Sequence, residues 1–230
     1  MIALYSYPEL FGVADNNPFG LKVFAYLKLC GLAFEHDHIF DSRTAPRGQL
    51  PYIVDDGEVV GDSDAIIAHL GRKYRPGFDA ALTPAQLHTG LLIRRMLEDL
   101  YWIMSYSRWA DERYWPLFKA AILATHPQVT ETAMDAARDY NAKRYYYQGI
   151  GRYTPEQVYA RGLADLEVLA SMLGPDGCLF GPGPSSVDAG IYGFLANIHF
   201  YPIDTPLKQY LTAHPNLVGH TERLHALVMR

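Results

Sequence analysis

Cysteine is scarce: Cys30 and Cys178 are the only two among 230 residues. Two cysteines with no CxxC pair and no metal-ligand spacing exclude a disulfide framework and a zinc knot, and a reducing, cytoplasmic compartment is the expectation. Basic charge is scarce too. Lys and Arg number 20 against 25 Asp and Glu, and the net charge of −5 carries no block of like charges. A nucleic-acid partner needs a clustered basic face, so none is expected. No apolar run approaches the roughly 20 residues that span a bilayer, and MIALYSYPEL lacks the basic start of a secretory signal, so no membrane partner is expected either. There is no internal repeat and no low-complexity tract.

Tyrosine is abundant, with 17 residues that include Tyr145 to Tyr147 in a row. A flat apolar ring with a polar tip suits helices packed with wet edges, or a ligand pocket. The length fits one large domain or two small ones with a proper core.

IALYSY is a short β-rich run. Pro18 then suits the first turn of a helix, because its missing N–H costs nothing there. Val23, Tyr26, Leu27 and Cys30 follow at i, i+3, i+4 and i+7 on one apolar face, and Gly31 supplies the stop. Cys30 on that stripe reads as core. AFEHDHI alternates as a second strand with His36 and His38 on one face, a pair without a third metal ligand, so no metal is expected. YIV and EVV flank DDG, a hairpin signal because Asp and Gly accept positive φ. Pro51 before that strand marks an edge or a special turn, with a cis Leu50–Pro51 bond as one option. Ser63 reads as the N-cap of the next helix, whose apolar face is Ile66, Ile67, Leu70 and Tyr74.

Around Arg75 to Leu82 the chain turns from strand-rich to helix-only. The expected division is 1–76 as an α/β unit, 77–82 as a linker and 83–230 as an all-α unit. Arg94 and Glu98 are spaced for an i,i+4 pair. Thr154 with Gln157, and Ser185 with Asp188, each spell a capping box. The helix after Ser185 carries no charge between Asp188 and Asp204, which predicts a helix wrapped on most sides, with Asp188 as a folding residue.

NPFGLKV opening the first helix, LPYI before the hairpin, DS opening the next helix and SSVD deep in the helical part together resemble the glutathione S-transferase superfamily over nearly the whole chain. RGQLPYIV, QGIGRYTPEQVYARGLADL and IDTPLKQYL look most like its Fax/metaxin-related branch. The resemblance implies a thioredoxin-like N-terminal domain, a mixed sheet with a cis-proline at Pro51, followed by an all-α C-terminal domain, usually in a homodimer. It implies a transferase that promotes attack of glutathione thiolate on an electrophilic, apolar or aromatic small molecule, with glutathione as co-substrate. A glutathione-binding or metaxin-like scaffold without turnover is the alternative.

Residue by residue, the resemblance places the backbone of Leu50, beside Pro51, against the cysteinyl part of glutathione as an added strand. It places Asp62 and Ser63 at the γ-glutamyl end, where a helix N-terminus favours a carboxylate. Arg47, or Arg43, would meet the glycyl carboxylate. Where relatives carry cysteine or serine before the helix proline, this chain has Asn17. An amide cannot form a mixed disulfide, but it can donate a hydrogen bond. Lowering a thiol pKa by about two pH units takes about 2.7 kcal/mol. A charge-assisted hydrogen bond of about 1.5–3 kcal/mol, helped by the helix dipole, is of that size. Asn17 is the expected thiolate donor, with Asn16 and Tyr7 as competitors, and a plain N-cap is the other role open to Asn17. Tyr106, Trp109, Tyr114 and Trp115 are the expected co-substrate wall, with Arg108 or Arg113 as an anchor for an anionic group. Leu10, Phe11 and Val13 in the long first loop are expected to form a partial lid.

Overall fold

The computed structural model describes residues 1–174 and 177–230. Its first part is a four-stranded sheet of β1 (Ile2–Ser6), β2 (Phe34–His38), β3 (Tyr52–Asp55) and β4 (Glu58–Gly61), ordered β2-β1-β3-β4. β1 runs parallel to β2, with Ile2 opposite Phe34, while β1–β3 and β3–β4 are antiparallel. The parallel pair is joined through α1 (Pro18–Leu29), and α2 (Ser63–Tyr74) follows β4. The β3–β4 hairpin turns on Asp56 and Gly57, both at positive φ (52° and 88°), as DDG predicts. The Leu50–Pro51 bond is cis.

The remainder is helical: α3 (Pro84–Trp109), α4 (Trp115–Thr125), α5 (Glu131–Gln148), α6 (Pro155–Met172), α7 (Ser186–His199), α8 (Pro206–Thr212) and α9 (Pro215–Val228). Among the described residues no helix is long and apolar enough to cross a membrane. Both expected capping boxes form, at Thr154/Gln157 and at Ser185/Asp188. Asp188 is fully buried and accepts hydrogen bonds from the backbone of Leu179 and Ser185, from Ser185 Oγ and from His220. Burial opposes its ionisation, but these bonds outweigh it and hold the carboxyl below its usual range.

From Val187 to Ile198 every residue of α7 is buried, and its face of Ala189, Tyr192 and Ala196 packs against α1 and the sheet core of Leu4, Leu21 and Ile53. Gly193 is what lets the two helices meet. A Cβ there would stand 2.6 Å from the Pro18 carbonyl oxygen and 2.9 Å from the Lys22 nitrogen. The central helix of the bundle is therefore pressed directly on the start of α1.

Four local expectations change. Cys30, the C-cap of α1, is only partly buried and packs against the edge of the core instead of inside it. Ser63 is the first helical residue of α2; the N-cap is Asp62, which accepts from Asp64 and Ala65 N–H at 3.0 and 3.1 Å. Glu98 pairs with Arg95, at 3.0 Å, while Arg94 turns toward Asp64 on α2. Leu10 and Val13 pair with each other and are buried, Leu10 beside Trp115, Phe118 and Tyr201, so the first loop is a packed turn and not a lid.

Candidate active site

The start of α1 is held from three directions. Asn17 is its N-cap: Oδ1 accepts the N–H of Phe19 at 3.0 Å, and Pro18 follows in the first turn. That bond occupies the amide oxygen and leaves Nδ2 without a protein acceptor among the described residues. Asn16 differs, since its Nδ2 and its backbone N–H both donate to the Pro8 carbonyl, at 3.0 and 3.1 Å. Asn17 keeps both Nδ2 protons for a ligand and Asn16 keeps one. Asn17 has a donor to offer a ligand, and capping and donating use different atoms of one side chain.

The peptide between Asn16 and Asn17 is clamped at both ends. Arg108 Nη1 donates to its carbonyl oxygen at 2.6 Å, and its N–H donates to Asp15 Oδ1 at 2.6 Å. Arg108 Nη2 continues to the carbonyl of Asn197 at 2.6 Å, and Asn197 Nδ2 returns to the carbonyl of Asp15 at 3.2 Å. Residues of α3 and α7 therefore fix the turn that aims Asn17. Burial drives the Asp15 carboxyl well above its ordinary range, against hydrogen bonds from Asn17, Ser6 and Tyr7. Burial also lowers the Arg108 pKa from its ordinary value. Tyr7, half-buried beside Tyr101, has its phenol pKa raised chiefly by desolvation, so it holds its proton and is a donor.

The cradle expected for the tripeptide lies on the sheet side. Leu50 is buried just before β3, and neither its N–H nor its C=O has a backbone partner among the described residues. Asp62 sits at φ 79° and spends one oxygen on capping α2. Ser63 Oγ accepts from Lys22 Nζ at 3.2 Å, and Lys22, 4 % exposed, also forms an ion pair with Asp64. Lys22 is a residue that sequence reasoning missed. It occupies an apolar stretch of α1, and only the α1–α2 packing shows that its ammonium reaches Ser63. Arg47 stands 3.7 Å from Asp62, whereas Arg43 is tied to Asp41 on the surface.

A cavity of about 500 Å³ opens against Tyr7, Asn16, Asn17 and Pro18 and continues between α3, α4 and α5. Of the four aromatics expected to wall it, Trp109 does. Tyr106 instead packs inside the bundle with Tyr145 and Tyr159, and Tyr114 and Trp115 lie behind the wall, in a cluster with Tyr201 and with the cavity-lining Trp109 and Phe118. The physical reason is the roll of α3, whose cavity-facing line is Tyr101, Ser105 and Arg108, spaced i, i+4, i+7. Facing it on α5 are Tyr140, Asn141 and Arg144. Those spacings could have been read from the sequence; which turn of each helix faces the other could not. Arg113 is held by Asp111 at 2.6 Å and does not line the cavity, whereas Arg108 does.

His36 is hydrogen-bonded to Ser6 Oγ at 2.7 Å, and burial lowers its pKa to about 4. Cys178, Asp188 and His220 offer ligand atoms within 4.8 Å of one another, but Asp188 already serves as the cap of α7. Burial raises the Cys178 thiol to about 11, far from a thiolate ligand at neutral pH.

A thioredoxin-like sheet with a cis-proline, a helical half built on a capped central helix, and a cavity where the two meet define the architecture of glutathione transferases. Comparison with known proteins agrees. Residues 18–114 match the family model described as glutathione S-transferase N-terminal domain, and residues 162–224 match the C-terminal domain model. The chain is 34 % identical to an isoprene-epoxide–glutathione S-transferase of Rhodococcus sp. (strain AD45), over 97 % of this chain and 98 % of that protein. It is 30 % identical to the Drosophila melanogaster protein Failed axon connections, over 97 % of this chain and 57 % of that protein. A glutathione S-transferase from Methylobacterium radiotolerans, solved with glutathione sulfonate, shares the fold at 16 % identity and a TM-score of 0.64, over 98 % of this chain and 90 % of that one. The chain belongs to the glutathione S-transferase family, with Fax-type proteins among its relatives.

Proposed function

We propose that this chain is a glutathione transferase that lays glutathione along its sheet and presents the thiolate to a small electrophile in the junction cavity. One observation carries the reading: the cavity opens against the helix start where Asn17 holds an uncommitted amide donor. Leu50 offers its free N–H and C=O to the cysteinyl backbone beside Pro51. Ser63 takes the γ-glutamyl carboxylate. Because Ser63 Oγ accepts from Lys22, its own proton is left to donate outward. Asp62 meets the ammonium, and a glycyl carboxylate would compete with Asp62 for Arg47.

Asn17 stabilises the thiolate, with Tyr7 as a second donor. The relative's isoprene epoxide suggests an epoxide as co-substrate for this chain. Sulfur bonds to a ring carbon as that carbon–oxygen bond breaks, and the alkoxide takes a proton from water. We further assign the chain to the cytoplasm and to a homodimer. Titration calorimetry with glutathione tests the reading: binding with heat is expected, and absence of both heat and thermal shift at millimolar ligand overturns it.

A further inference from the structure

The junction cavity holds two cations and no acid. Arg108 and Arg144 both line it, and no Asp or Glu does among the described residues. Neither arginine has a carboxylate within ion-pair distance among those residues, although others on the same helices do: Arg95 of α3 pairs with Glu98, and Arg138 of α5 with Glu112. Arg108 is 5 % exposed, and its terminal nitrogens go to the carbonyls of Asn16 and Asn197. Its Nε–H is buried and has no partner among the described residues. Arg144 donates to Asn141 Oδ1 at 2.9 Å and lies over the Trp102 ring, 5.0 Å from its centroid.

A guanidinium kept from water without a counter-charge is unfavourable, and so is a buried donor left unmade. An oxyanion entering the cavity supplies the counter-charge that its lining lacks. Trp109, Phe118, Ile122 and Met134 give the wall an apolar part, beside the uncharged polar groups of Asn16, Asn17, Ser42, Ser105, Gln128 and Asn141. The volume of about 500 Å³ lies within the range of small-molecule sites.

We infer that the co-substrate carries a fixed negative charge, a carboxylate on an apolar or aromatic body, which Arg144 binds, with the Arg108 charge behind it. The inference rests on the transferase reading only for the nucleophile. A charge that appears only as an epoxide opens is the competing use of the arginines, and the test separates the two.

The first arm uses no glutathione. Binding of 3-phenylpropanoate and of its neutral amide is followed by tryptophan fluorescence, Trp109 lining the cavity. The acid is expected to bind about ten- to a hundredfold tighter than the amide, the size of a charge-assisted hydrogen bond. Arg144→Met should erase the difference and Arg144→Lys should restore part of it. The second arm compares kcat/KM for 3-phenylglycidate and for styrene oxide, which share the phenyl-substituted epoxide and differ in the carboxylate. Arg144→Met should lower the first at least about tenfold more than the second. Equal binding of acid and amide by the wild-type protein overturns the inference. So does an equal loss on both epoxides, which would give Arg144 to the alkoxide. If wild-type protein binds no glutathione, the transferase reading falls, while the first arm still decides the carboxylate site.

Discussion

Replacing Asn17 by aspartate separates the two uses of one side chain. Aspartate keeps an oxygen for the Phe19 N–H, and its charge suits a helix N-terminus, so stability should change by less than about 1 kcal/mol. The Nδ2 donor is gone. A hydrogen bond to a thiolate is worth about 1.5–3 kcal/mol, which raises the thiolate pKa by about one to two pH units, and repulsion from the new carboxylate acts in the same direction. At neutral pH, bound glutathione would then pass from mostly thiolate to mostly thiol, and kcat/KM would fall about ten- to a hundredfold with binding retained. Asn17→Ala should show a smaller pKa rise, from the lost donor alone, together with the loss of the cap, about 1 kcal/mol of stability. Thiolate difference absorbance against pH, run beside thermal melts, measures both effects. A variant N17D with the wild-type thiolate pKa would refute the reasoning and move the donor to Tyr7 or to backbone N–H groups.

Three further outcomes follow from the geometry. Gly193→Ala sets a methyl 2.6 Å from the Pro18 carbonyl, so α7 and α1 must separate, at about 1–3 kcal/mol; an unchanged denaturation midpoint would contradict that close approach. Lys22→Met keeps the stem packed but removes the donor to Ser63, so KM for glutathione should rise about tenfold with kcat nearly constant, and an unaltered calorimetric affinity would dismiss the role. Burial first, and then Asp99, raise the Asp165 pKa from 3.8 to about 6, so the folded chain holds a proton there that the unfolded chain releases. That stabilisation is complete below the unfolded pKa and is lost as pH rises through about 6. Asp165→Asn should therefore raise Tm at about pH 7.5 and leave it unaltered at about pH 4, a contrast that melts at the two pH values would check.

Sequence and structure divide the site between them. Asn17–Pro18, the Asp56–Gly57 turn and the two capping boxes were legible because each depends on φ, ψ and hydrogen bonds within a few residues of chain, whereas the cis bond at Pro51 followed from the family resemblance. Asp188 was legible as a folding residue for the same reason, and its buried bonds to Leu179 and His220 extend what the box began. Aromatic composition alone misled. YWIMSYSRWADERYWPLF contains Trp109, which lines the cavity, and Tyr106, Tyr114 and Trp115, which do not, and nothing local distinguishes them.

By itself, then, the chain determined where helices start, where the hairpin turns, and which family its spaced motifs resemble, since caps, turns and prolines act through short-range sterics and bonding. Only tertiary structure decided which faces of α3 and α5 look at each other, that Lys22 reaches Ser63, and that Arg108 and Arg144 share one cavity with no acid in its lining among the described residues. Those facts depend on the roll and separation of helices distant in sequence. Packing of whole apolar faces sets that roll, and no local rule encodes it.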